Sequence, residues 1–160
     1  MAMDDGAGVV GVLGTPDPFR EIRRRYVTRQ TVQRVHQRRF REQVVAAYRR
    51  QCALCHLKRV ELLDAAHILR DGHPRGLPVV SNGISFCTLH HRAFDRNVLG
   101  VRPDLVVEIR SDVLKEEDGP AMEHLLQGLH GTSIVVPRNA KQRPDREGLE
   151  ERYEEFRRAM

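Results

Sequence analysis

Apolar residues recur at three- and four-residue steps early in the chain: Ile22 and Tyr26, then Phe40, Val44, Ala47 and Tyr48. That spacing predicts two helices, over residues 19–35 and 38–50. The period then shortens. "ELLDAAHIL" and "GISFC" read as strands, parted by "RDGHPRGLP", where Gly72, Pro74, Gly76 and Pro78 break regular structure, and a helix starts near Thr88. "LGVRPDLVVEIRSDVL" predicts a hairpin turning at Arg102 to Asp104, with Val106, Val107 and Ile109 as β-branched residues. "GPAMEHLLQGLHG" predicts a helix, with Pro120 in its first turn and Gly131 at its stop. "TSIVVP" reads as one more strand. "PDREGLEERYEEFRRAM" reads as a final helix packing through Leu149, Tyr153 and Phe156.

The pattern divides the chain into four parts: a Gly-rich tail or linker remnant (1–18), a helical arm (19–50), a core with a hairpin extension (51–137) and a C-terminal helix packed on that core (138–160). The class is α+β. At 160 residues and 40% apolar content the chain can bury a modest core, but only 5% of it is aromatic. No apolar run approaches the ~20 residues that cross a bilayer, and the N-terminus lacks the basic start and apolar core of a signal peptide. The expectation is a soluble, cytoplasmic protein without a membrane partner.

Charge is unevenly spread. Eleven arginines face Glu21 and Glu42 between residues 20 and 50, whereas the rest of the chain is net acidic, within a total of +5. A basic patch of this kind fits a polyanion, with nucleic acid the natural partner, or else a solvated arginine-rich face. Arg34, Arg38, Arg39 and Arg41, with Arg92 further on, are the candidate DNA contacts.

Three cysteines cannot all pair in disulfides, and Cys52 and Cys55 form a C-x-x-C of the kind that holds metal in a reducing compartment. Cys87 and His90 form a second pair of the same spacing. Together they make a Cys3His set for a structural Zn²⁺ that takes four protein ligands and so leaves no open position for chemistry. His56 competes for the fourth place, but choosing it leaves Cys87 unused. The zinc would replace part of the core that so few aromatic residues supply.

Adjacent helical residues point about 100° apart, so His90 and His91 cannot share one small site. His91 is left for a second one. Strand alternation puts Asp64 with Ala66 on one face of "LLDAAHIL" and His67 with Ala65 on the other. The two alanines leave room beside His67, although a lone histidine in an apolar strand is commonly structural.

C-x-x-C, "DAAHI", "NGISFC" and "HH" at a helix start together resemble the His-Asn-His (HNH) endonucleases, which have a ββα-metal core and an embedded zinc knuckle. "LLDAAHI … NGI … HHRAFD", preceded by "RRFREQVVAAY", is most similar to bacterial HNH restriction proteins, over residues 38–137. The resemblance implies His67 as general base, Asn82 as the middle asparagine and His91 as ligand of a catalytic Mg²⁺ or Mn²⁺. Asn82-Gly83 also suits an ordinary turn. Many members carry Asp or His just before the base, where this chain has Ala66; Asp64, two residues earlier, is the available carboxylate. Asp95, four residues after His91, either orients that imidazole or makes a simple helix contact.

The implied reaction is phosphodiester hydrolysis on duplex DNA, leaving 5′-phosphate and 3′-hydroxyl ends. One site cuts one strand, so a double-strand break calls for a homodimer or two visits. Modification sensing calls for a separate or fused reader domain. The competing expectations are a zinc-stabilised nucleic-acid-binding module that does not cut, and an RNA-directed or toxin-type nuclease of the same chemistry.

Overall fold

The computed structural model describes residues 19–160, so the expected tail at 1–18 lies outside the described residues. The chain falls into two compact units, Met1–Gln33 and Arg34–Met160. In the first, the described residues are helical and exposed. The second carries the core and the candidate site.

The two helices expected before residue 50 are one, α1 (Arg20–Ala47). The residues at the expected break, His36 and Gln37, include neither glycine nor proline, so a lapse in apolar spacing did not end the helix. Within the second unit, Phe40, Val44 and Val45 of α1 and the following Tyr48 are buried. The latter part of the expected arm is therefore core.

Strand β1 (Leu63–His67) pairs antiparallel with β2 (Gly83–Cys87), in a register that sets His67 opposite Gly83 and Leu63 opposite Cys87. Helix α2 (Thr88–Asp95) follows β2 directly and packs back on both strands. This is the ββα unit expected from the sequence. Gly83 has no room for a side chain: a Cβ there would lie 2.6 Å from Val44 Cγ2 and 2.9 Å from Phe40 Cζ. The glycine serves the close approach of α1 to the sheet, not a turn.

The expected hairpin forms from β3 (Leu99–Val101) and β4 (Val107–Ile109), antiparallel. Helix α3 (Pro120–Leu125) carries Pro120 at its start, and Gly131 beyond it takes a positive φ of 78°. Residues 132–137 do not form a strand. Their hydrogen bonds divide between the hairpin (Ile134 N–H to Leu105 O, 3.0 Å) and the cysteine loop (Val135 N–H to Ala53 O, 2.8 Å), so no ladder builds beyond a single bridge of Val106 with Ser133.

Helix α4 (Arg146–Arg158) buries Leu149 and Phe156 as expected, but Tyr153 is half-buried and Arg152 takes the interior place. The Arg152 guanidinium donates to Phe94 O and Asn97 Oδ1 and lies 4.5 Å over the Phe94 ring. It thereby closes the C-terminal end of α2, where unpaired carbonyls favour a cation. Among the described residues no buried side-chain nitrogen or oxygen lacks a hydrogen-bond partner, and no helix is long and apolar enough to cross a membrane.

Candidate functional site

Two sites meet on α2, one on each side of its first turn. On the inner side, one ligand atom each from Cys52, Cys55, Cys87 and His90 lie within 4.8 Å of one another. The His90 Nδ1 atom is 3.4 Å from Cys52 Sγ and 3.2 Å from Cys87 Sγ, and Cys55 Sγ is 3.9 Å from Cys87 Sγ. A zinc tetrahedron with sulfur arms of ~2.3 Å has edges of about 3.8 Å, so the four donors already stand close to its corners. Zinc fits this set. His56 is outside it, exposed and at a positive φ of 62°.

The ring of His90 is oriented from behind. Its Nε2 lies 2.7 Å from Leu125 O and donates to it, which leaves Nδ1 to face the cysteines. Hydrogen bonds from Cys52 and then Cys55 hold the Cys87 thiol well below its ordinary value, favouring the thiolate that a zinc ligand must be. Burial pulls His90 down, yet its bonds to Cys52 and Cys87 carry it up to about 10. Zinc uptake at this cluster would release that proton. The cluster is stitched to β2 through Ala53 N–H to Ser85 O (2.7 Å) and Ser85 Oγ to Gln51 O (2.9 Å).

On the outer side, His67 and His91 line a cleft of about 310 Å³ with Arg70, Asp71 and Asp95, and share a second one, about 270 Å³, with Asp64. Alternation assigns Asp64 to the face opposite His67, but the structure brings both residues to one opening. In the two-stranded sheet the outer edge of β1 pairs with no further strand. Asp64 turns along that edge, with Oδ1 accepting from Ala65 N–H (2.8 Å) and Oδ2 lying 3.0 Å from His91 Nδ1. His91 Nε2 is 3.3 Å from Asp95 Oδ2, so a carboxylate stands at each ring nitrogen.

These contacts divide the two histidines. The hydrogen bond to Asp64 raises His91 above its ordinary value, against burial and with help from the charges of Asp95 and Asp64. Burial tends to raise Asp64, but the His91 and Ala65 hydrogen bonds and the His91 and Arg41 charges bring it below the usual carboxylate range. Burial lowers His67, with Asp71 pulling the other way. Burial thus favours the neutral imidazole, the state a general base requires. Its ring stacks on Phe40 with centroids 4.2 Å apart, which fixes the imidazole plane.

Asn82 is buried and lines neither of these two clefts. Its Oδ1 accepts from Leu69 N–H (2.9 Å) and its Nδ2 donates to Leu69 O and Leu77 O (both 3.0 Å), while its own carbonyl accepts from Ile68 N–H (2.9 Å). It ties the chain just beyond His67 to the loop that leads to β2.

Among the arginines, Arg34, Arg39 and Arg92 are exposed, and Arg38 is exposed beside Glu42 (3.0 Å). Arg41 is engaged elsewhere: it donates to Leu63 O and Val60 O, bracing the entry to β1, and lies 3.8 Å from Asp64. Sequence reasoning missed Phe40 as the ring under His67, and Arg70 and Asp71 as cleft residues. The latter two stand three and four positions after His67, where the loop was read only as a break. His73 of the same loop lies 2.8 Å from Glu151 of α4.

Residues 52–102 match the family model described as HNH endonuclease. No curated protein matches the chain. Among solved structures, a chain titled modification dependent TagI restriction endonuclease superposes with a TM-score of 0.49 at 18% identity, over 71% of this chain and 36% of that one. The chain thus spans about a third of the length of that protein.

Proposed function

We propose that this chain, an HNH endonuclease by its residues 52–102, hydrolyses phosphodiester bonds of duplex DNA with His67 as general base and with His91 and Asp64 holding a divalent ion. The observation that carries this reading is the shared opening of three differently tuned groups. His67 is held toward its neutral form by burial and backed by a ring, while His91 and Asp64 form a bonded pair beside it.

His67 takes a proton from water, whose oxygen attacks phosphorus as the bond to the 3′ oxygen breaks; the departing oxygen takes a proton from solvent water, leaving 5′-phosphate and 3′-hydroxyl ends. Stacking on Phe40 and the Asn82 clamp hold the imidazole for that transfer. A divalent ion bound between Asp64 and His91 would supply positive charge to the phosphate and the departing oxygen. One imidazole and one carboxylate leave most of its coordination to water and substrate, which suits Mg²⁺ or Mn²⁺. Zn²⁺ at Cys52, Cys55, Cys87 and His90 would hold α2 in place without entering the reaction. Arg34, Arg38, Arg39 and Arg92 offer phosphate contacts, which position DNA without reading its sequence.

The sequence resemblance supports a place in restriction, with base modification read by a separate or fused domain and a double-strand break made by two copies or two visits. The test is incubation of the zinc-loaded protein with Mg²⁺ or Mn²⁺ and, in parallel, unmodified plasmid, base-modified plasmid and structured RNA. Cut DNA whose ends religate without a kinase supports the proposal. Cutting of RNA alone would move the substrate to RNA, and binding of DNA without cutting would leave a zinc-stabilised binding module.

A further inference from the structure

The pair of carboxylates around His91 raises a question of order: only one of its ring nitrogens can hold an ion, and the other must carry a hydrogen. We infer that the ion belongs to Nδ1 and Asp64, and that Asp95 is a positioning residue that receives the Nε2 hydrogen and aims the ring. This rests on the metal site proposed above.

Distance separates the two sides. Cis ligands of an octahedral ion with arms of ~2.1 Å stand about 3.0 Å apart. His91 Nδ1 and Asp64 Oδ2 are 3.0 Å apart, whereas His91 Nε2 and Asp95 Oδ2 are 3.3 Å apart, too wide for that edge and at the distance of an ion pair. Anchoring points the same way. The other oxygen of Asp64 is held by Ala65 N–H at 2.8 Å, so Asp64 is a fixed ligand that an ion need not reorganise. Asp95 lies one turn further along α2, the element that carries His91 itself, and moves with the ring it aims.

The neighbouring histidine supplies an internal parallel. His90 presents Nδ1 to the three cysteines and ties Nε2 to Leu125 O at 2.7 Å. Two consecutive residues of α2 would thus use the same nitrogen for metal and the same nitrogen for support, a carbonyl behind one and a carboxylate behind the other. A carboxylate behind a ligating imidazole fixes its tautomer and raises its basicity, and losing it typically weakens metal binding by about 10- to 100-fold.

The experiment measures Mn²⁺ binding by calorimetry, without DNA, on the full zinc-loaded chain and on Asp95→Ala, Asp95→Asn, Asp64→Ala and His91→Ala, with helix content by circular dichroism confirming that each is folded. Nitrogen NMR of the Mg²⁺-saturated protein assigns the His91 tautomer. The inference expects binding weakened about tenfold or more in Asp95→Ala, less in Asp95→Asn, and lost in Asp64→Ala, with hydrogen on Nε2. Saturating Mn²⁺ should bring the DNA-cutting rate of Asp95→Ala back to within a few-fold of the unmodified chain. Wild-type affinity in Asp95→Ala, with His91→Ala losing the ion, would overturn the positioning role alone. Hydrogen on Nδ1 in the Mg²⁺ form would reverse the two carboxylates and overturn it too. Unchanged Mn²⁺ binding in His91→Ala would remove the metal site itself and the inference with it.

Discussion

Replacing Asn82 by alanine tests whether the buried amide is a clamp or merely part of a turn. The substitution deletes three hydrogen bonds and leaves Leu69 N–H, Leu69 O and Leu77 O without their partner. A buried group left unpaired costs about 1–3 kcal/mol, but Leu77 is exposed and its carbonyl can turn to water. The two Leu69 groups then dominate, for a loss of about 2–4 kcal/mol. On a chain of this size that lowers the melting temperature by roughly 5–15 °C. Leu69 is two residues beyond His67, so the base moves as well, and cleavage measured well below the new melting point should fall by about 10- to 100-fold. The Asn82→Asp variant sharpens the test. It keeps the acceptor for Leu69 N–H but sets a carboxylate against two carbonyls, so its pKa is raised in the fold. The penalty is full at neutral pH and shrinks as pH falls through that raised value. Thermal melts of zinc-saturated protein at pH 5 and pH 7.5 give the stabilities. A loss below about 1 kcal/mol in Asn82→Ala, with Asn82→Asp equal to the unmodified chain at both pH values, would refute the clamp.

Three further outcomes follow from the same contacts. Chelation should remove one zinc per chain and unfold α2 with it, because structural zinc contributes about 10–16 kcal/mol, as much as a whole domain's stability; Mg²⁺ should not restore it, and a folded, cutting protein without zinc would contradict this. With His67 held below its ordinary value by burial, its neutral form is still the major one at pH 6.5 and gives way as pH drops through the lower folded value. The acid-side half-maximum of the rate at saturating Mn²⁺ should therefore lie below pH 6.5, and a half-maximum above 6.5 would contradict the assignment. Arg152→Met removes charged hydrogen bonds to Phe94 O and Asn97 and a cation over a ring, so the urea midpoint should show a loss of about 2–4 kcal/mol, against an expectation near zero if Arg152 were a surface charge.

What could be read from the sequence was what local rules govern. The strand "GISFC" matches β2 residue for residue, and the Gly- and Pro-rich loop and the hairpin turn stand where breakers put them. The paired spacings of Cys52 and Cys55, and of Cys87 and His90, were enough to bring out the metal cluster, since so few cysteines leave little choice. Features set by tertiary packing were not legible. Nothing near residue 36 says that α1 continues, because helix ends need a breaker or a cap and a lapse in apolar spacing is neither. Residues 132–137 have strand composition, but their bonds serve two different neighbours. Arg152 sits at a buried helical position, three before Glu155 and three after Leu149; its charge hid the fact that α2 offers it carbonyls and a ring. The period-two rule places only the Cβ of Asp64, whose carboxylate reaches along the strand edge to Ala65 N–H and His91 Nδ1.

The central claim is that His67 removes the proton from the attacking water. Its most direct test is single-turnover cleavage of an end-labelled duplex by the zinc-loaded chain and by His67→Ala, at saturating Mn²⁺ and neutral pH, with the zinc content of both confirmed. The account predicts a rate reduced by about 10²- to 10⁴-fold in the variant, with Mn²⁺ and DNA still bound. Cleavage by His67→Ala within a few-fold of the unmodified chain would contradict it.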